Sequence, residues 1–91
     1  MNQRVDMIRE KLTQAFSPTE LDIIDDSHKH AGHEGAKSGG GHFNVFIVSR
    51  AFEGKSLLQR HRMVYEAMGD AMKTEIHALS MKAYTPEEID Q

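Results

Sequence analysis

Between Phe43 and Tyr84 the apolar residues recur first with a period of two, then at helical spacing, then with a period of two again. This order constrains the fold more than any other feature of the chain. Phe43-Asn44-Val45-Phe46-Ile47-Val48 reads as a strand with Phe43, Val45 and Ile47 on one face and Phe46 and Val48 on the other. Its near-continuous apolarity predicts a central place in a sheet. Leu57, Val64, Met68, Ala71 and Met72 mark the buried stripe of a helix, with Ser56 as its cap and Gly54 as the permissive residue of the turn from Arg50 to Lys55. From Ile76 to Tyr84 the pattern alternates, with His77, Leu79, Met81 and Ala83 to one side and Ala78, Ser80, Lys82 and Tyr84 to the other. A strand, a helix and a strand in this order predict a right-handed crossover between two parallel strands.

The flanking segments complete the topology. Met1, Val5, Ile8, Leu12, Ala15 and Phe16 form the apolar side of a first helix, capped by Asn2 and ended by Pro18, because the residue before a proline is pushed out of the helical region. Leu21 to Ser27 is short and rich in branched residues, which predicts a first strand packed on one face. Residues 28–42 hold five of the seven glycines and almost no apolar surface, so they are expected to form a long exposed loop. Thr85-Pro86-Glu87-Glu88 combines a threonine cap, a proline at the first helical position and a glutamate three residues after the cap, which together start a last helix. The expected fold is α+β, an α-β-β-α-β-α two-layer sandwich with a three-stranded mixed sheet.

At 91 residues, 38% apolar and 27% charged, the chain is expected to form one domain spanning 1–91. No apolar run approaches the roughly 20 residues of a membrane span, and MNQRVDMIREK lacks the apolar core of a signal peptide, so the expected location is the cytoplasm. The net charge of -3 argues against strong binding to phosphate backbones through overall charge. Cysteine is absent, which excludes disulfides, thiol catalysis and any thiolate metal site made by this chain alone.

Six histidines remain. His28, His30 and His33 fall in the glycine-rich loop, and His42 sits where that loop re-enters the sheet. His61 lies on the apolar stripe beside Leu57, Val64 and Tyr65, so it is expected in the core. Imidazole is the commonest neutral metal ligand, and flexible presentation favours a metal shared with another molecule. Arg60 and Arg62 are expected to face solvent, forming a small basic patch with Arg50 and Lys55.

Gly32-His33-Glu34-Gly35 matches the G-x-x-G clamp of KH domains, but that clamp joins two helices and this segment lies between strands. Asp25 and Asp26 are adjacent and face opposite sides of a strand, which spoils them as a catalytic pair. No phosphate-binding loop, nucleophile elbow or zinc-protease motif is present, leaving an enzyme as the weakest class.

Asp25-Asp26-Ser27-His28-Lys29-His30, Phe52-Glu53-Gly54-Lys55-Ser56, Arg60-His61-Arg62-Met63-Val64-Tyr65, and Ile76-His77-Ala78-Leu79 with Tyr84-Thr85-Pro86 together resemble the BolA family, and the resemblance covers nearly the whole chain. It implies a KH-like fold of the type II order and a non-enzymatic role. It further implies pairing with a monothiol glutaredoxin and a shared [2Fe-2S] cluster, the partner giving cysteine and glutathione and this chain giving histidine. His77 matches the family's C-terminal histidine. The second ligand matches the loop, with His30 the best by position and His28 and His33 as alternatives. Imidazole in place of thiolate would raise the cluster's potential and make ligation sensitive to protonation. The resemblance also implies a DNA-binding transcriptional regulator of stress, cell-shape and biofilm responses, with Arg50, Lys55, Arg60 and Arg62 as phosphate contacts. No cluster is expected on the isolated chain, which would be a monomer or weak homodimer.

Overall fold

In a computed structural model, which describes residues 3–27, 41–74 and 76–90, the elements follow the expected α-β-β-α-β-α order. Helix α1 spans Gln3–Phe16, strand β1 Glu20–Asp25 and strand β2 Gly41–Val48. Helix α2 spans Leu57–Met68, strand β3 Ile76–Tyr84 and the short helix α3 Pro86–Ile89. The sheet order is β1-β2-β3, with β1 antiparallel and β3 parallel to β2, so the apolar run Phe43–Val48 is indeed central and the sheet is mixed.

Helix α1 buries Ile8, Leu12 and Phe16, spaced four apart as one face of a helix requires, whereas Ala15 is exposed. It ends where Ser17 turns to φ 44°, its N–H donating to the carbonyl of Thr13 at 3.0 Å, just before Pro18. The expected contributions of Met1 and Asn2 lie outside the described residues. Phe43, Val45 and Ile47 of β2, Leu79 and Ala83 of β3, and Val64, Met68 and Ala71 close the core between the helices and one face of the sheet. Phe52 is wholly buried in the 3-10 turn Arg50–Phe52 and stands against Phe16, with ring centres 5.0 Å apart. Ser49 joins these parts: its fully buried hydroxyl donates to the Phe16 carbonyl at 2.6 Å and accepts from the Ala51 N–H at 3.0 Å.

Both predicted caps form complete capping boxes, Ser56 with Gln59 and Thr85 with Glu88. Gly54 has the positive φ of 75° that its turn demands, and Gly69, at φ 57°, ends α2 and passes the chain into a 3-10 turn over Gly69–Lys73. Four local expectations are corrected. β1 stops at Asp25, because the Asp25 carboxylate accepts the Ser27 N–H at 2.8 Å and turns the chain. β2 begins at Gly41, inside the expected loop.

The third correction concerns α2. Leu57 is 66% exposed, and the position one turn before Val64 on the buried face belongs to Arg60, which is 6% exposed. His61, expected in the core, is half-buried at its margin. The fourth lies in β3. Gly41 pairs with Ile76 and His42 with Ala78, so His77 is the extra residue of a bulge. Ile76, Leu79 and Ala83 are buried while His77 is exposed, against the simple alternation that placed it beside Leu79.

Candidate functional site

The bulge brings together two imidazoles. His77, turned out of the core, faces His42 on the neighbouring strand, with ring centres 4.9 Å apart and planes inclined at 43°. His77 is exposed and His42 is half-buried. A one-residue insertion in one of two paired strands re-aims a side chain without disturbing the hydrophobic register beyond it. That is the result here: from Phe43 and Leu79 onward the strands run in register to Val48 and Tyr84.

The backbone at His42 is held through both its N–H and its carbonyl by the two residues that follow β1. Its N–H donates to Ser27 Oγ at 3.0 Å, its carbonyl accepts the Asp26 N–H at 2.8 Å, and the amide of Asn44 donates to the Asp26 carboxylate. Glycine is required before it. A Cβ at Gly41 would stand 2.6 Å from the Phe43 ring and 2.8 Å from Ser27 Oγ. His28, His30 and His33, the loop ligands expected from sequence, lie outside the described residues. Among the described residues no group of three His, Cys, Asp or Glu is placed to hold a metal ion, so this surface offers a pair of imidazoles.

Sequence reasoning selected His77 but gave His42 no role. The signal was its position at the point where the loop re-enters the sheet. Its proximity to His77 depends on a strand register that spans 35 residues of chain and on the irregularity at Gly41.

The basic residues divide. Arg50, Lys55 and Arg62 are exposed, as expected. Arg60 is not a surface cation: its Nη1 and Nη2 donate to Glu88 Oε1 and Oε2 at 2.7 and 3.2 Å, Nη1 also donates to the Ala83 carbonyl at 2.9 Å, and Nε donates to the Lys55 carbonyl at 3.0 Å. A fork of this geometry satisfies a planar cation inside the protein and leaves no face for a phosphate. The Arg60 hydrogen bond, followed by the Thr85 backbone N–H, holds the Glu88 carboxyl well down, to about 2, with desolvation opposing.

Arg60 and Tyr65 also cover the outer edge of the sheet. The Tyr84 carbonyl accepts from Ser49 at the end of β2, so the alternate residues Leu79 and Ala83 direct their carbonyls away from β2. The Tyr65 hydroxyl donates to Leu79 at 3.3 Å and Arg60 donates to Ala83, blunting an edge that would otherwise invite strand pairing.

The family model described as BolA-like protein matches residues 12–88. The chain is 47% identical over 87 residues to the SufE-like protein 1, chloroplastic/mitochondrial, of Arabidopsis thaliana, a match that covers 90% of this chain and 24% of that protein. This chain thus spans about a quarter of that relative's length. It is 41% identical over 81 residues to the DNA-binding transcriptional regulator BolA of Escherichia coli K12, covering 89% of this chain and 74% of the relative. Among solved structures, the BolA domain of SufE1 from Arabidopsis thaliana superimposes with a TM-score of 0.86 at 48% identity, covering 97% of this chain and 98% of that one. Among the described residues, no helix is long and apolar enough to cross a membrane.

Proposed function

The chain belongs to the BolA-like family, and from that premise we propose that it is a non-enzymatic, cytoplasmic partner of a monothiol glutaredoxin. The two would share a [2Fe-2S] cluster in iron-sulfur trafficking or iron-dependent regulation. The observation that carries this reading is His77: a bulge turns it out of the face that periodicity assigns to it and sets it, exposed, beside His42. A histidine needed only for packing would gain nothing from that exposure.

The donor set fits the group. This chain contains no thiolate, and an imidazole presented at a surface can complete the coordination of an iron whose other ligands come from elsewhere. His77 would be one ligand, and one of His30, His28 and His33 the other. When bound, such a cluster supplies one-electron chemistry or transferable iron and sulfur. The chain's own part is to hold His77 outside the core and to fix the backbone of His42 through Ser27 and Asp26.

Titration of a cluster-loaded monothiol glutaredoxin with the wild-type chain and with His77→Ala, followed by visible absorption and circular dichroism, tests the reading. The wild type should give a spectrum that differs from that of glutaredoxin alone, and His77→Ala and His30→Ala should each alter it. Identical spectra for wild type and both variants overturn the assignment of these ligands.

A second reading rests on the Escherichia coli relative, whose name states DNA binding. Arg50, Lys55 and Arg62 would then supply phosphate contacts, with Arg60 removed from the set by its burial. Affinity for a promoter fragment would be modest and would fall steeply with salt. Equal binding by wild type and Arg62→Ala at near-physiological salt would discard this surface.

A further inference from the structure

We propose that His42 and His77 chelate a single divalent transition-metal ion, with Zn2+ as the reference case, on the isolated chain. The site shares His77 with the cluster reading but needs neither iron nor a partner protein. The juxtaposition of the two rings carries it. Two imidazoles bound through nitrogen to one tetrahedral Zn2+ at about 2.0–2.1 Å place their ring centres about 5 Å apart. His42 and His77 stand at 4.9 Å, inclined at 43°, so their ring centres already lie at that separation.

Three further features favour the pair over two histidines that merely touch. The bulge exists at this point and nowhere else between β2 and β3, and its effect is to expose His77 on the side of the sheet that carries His42. The His42 backbone is bonded through both its N–H and its carbonyl, which reduces the motion that binding must quench. The two residues also differ in exposure: half-buried His42 keeps its Nε2 out of solvent, whereas His77 is exposed at the surface. Neutral imidazole suits Zn2+, Cu2+ and Ni2+, whereas Mg2+ and Ca2+ prefer oxygen donors. Among the described residues no third protein ligand completes the set.

The test uses the full chain and Zn2+ alone. Because His28, His30 and His33 would also capture zinc, the reference protein carries His28→Ala, His30→Ala and His33→Ala together. Isothermal titration of this variant should show one equivalent of Zn2+ bound, and Co2+ substitution should give the visible bands of a nitrogen-ligated ion. Adding His77→Ala should weaken binding roughly a hundredfold, because a single imidazole loses the effective concentration that its neighbour provides. His42→Gln should do the same; since His77 is exposed, its variant keeps the test decisive should the His42 variant misfold. Failure of the reference variant to bind one equivalent, or equal affinity after His77→Ala, overturns the proposal. The cluster reading stands or falls separately, since its readout is the spectrum of the glutaredoxin complex.

Discussion

Replacing Arg60 by methionine should destabilise the fold by about 2–4 kcal/mol, an effect expected of a structural cation and not of a surface contact. Arg60 is 6% exposed, and it bridges three segments: the turn before α2 through the Lys55 carbonyl, the edge of β3 through the Ala83 carbonyl, and α3 through Glu88. Methionine keeps an aliphatic stem of similar reach, so the loss falls on hydrogen bonds. Bonds to a charged group contribute about 1.5–3 kcal/mol each when buried. The Glu88 side chain is 44% exposed, so its share is discounted for solvent screening, and the estimate rests on the buried bond to the Ala83 carbonyl with about 0.5–1 kcal/mol from the part-buried bond to the Lys55 carbonyl. A loss of this size removes a large part of the roughly 5–14 kcal/mol expected for a domain of this length. It should lower Tm by roughly 10–25 °C. Urea unfolding followed by circular dichroism measures it, with the slope unchanged and the midpoint moved. Arg62→Met, on the exposed side of the same helix, should stay within about 0.5 kcal/mol of wild type. If the Arg60 and Arg62 variants unfold at the same urea concentration, Arg60 does not tie the three segments together.

Three other outcomes are expected. Glu88 has its pKa lowered to about 2, so its contribution to stability is complete above the unfolded value near 4.5 and is lost as pH falls from there toward 2. In wild type, urea midpoints measured across that interval should therefore drop more steeply than in Glu88→Gln; parallel pH profiles would contradict the assignment. Gly41→Ala should cost about 1–3 kcal/mol by overpacking against the buried Phe43 ring, and should shift the His42 and His77 resonances in NMR spectra. Leu57→Ser should change thermal stability by no more than about 0.5 kcal/mol despite its place in an apolar pattern, because Leu57 is 66% exposed; a core-sized loss would restore the original stripe.

Much of the architecture was legible without coordinates. The Ser56 and Thr85 caps, the stop before Pro18 and the positive φ at Gly54 follow from interactions within a few residues, and all were found where expected. The burial of Phe43, Val45 and Ile47 follows from a period of two that nothing interrupts. The site was only half legible. His77 could be selected, but not turned outward, because alternation within one strand contains no information about a bulge imposed by its neighbour.

Sequence alone determined the order of elements, their polarity along the chain and hence the parallel pairing of β2 with β3, since these depend on local propensity, apolar period and the handedness of chain connections. Tertiary structure alone decided which charged and imidazole side chains are inside. Arg60 reads as a surface cation until Glu88, 28 residues later, supplies its counterion and Ala83 an acceptor. His42 reads as the end of a loop until the sheet register sets it against His77. Burial of a polar group is a property of its partners, and when those partners come from distant elements no local pattern can announce it.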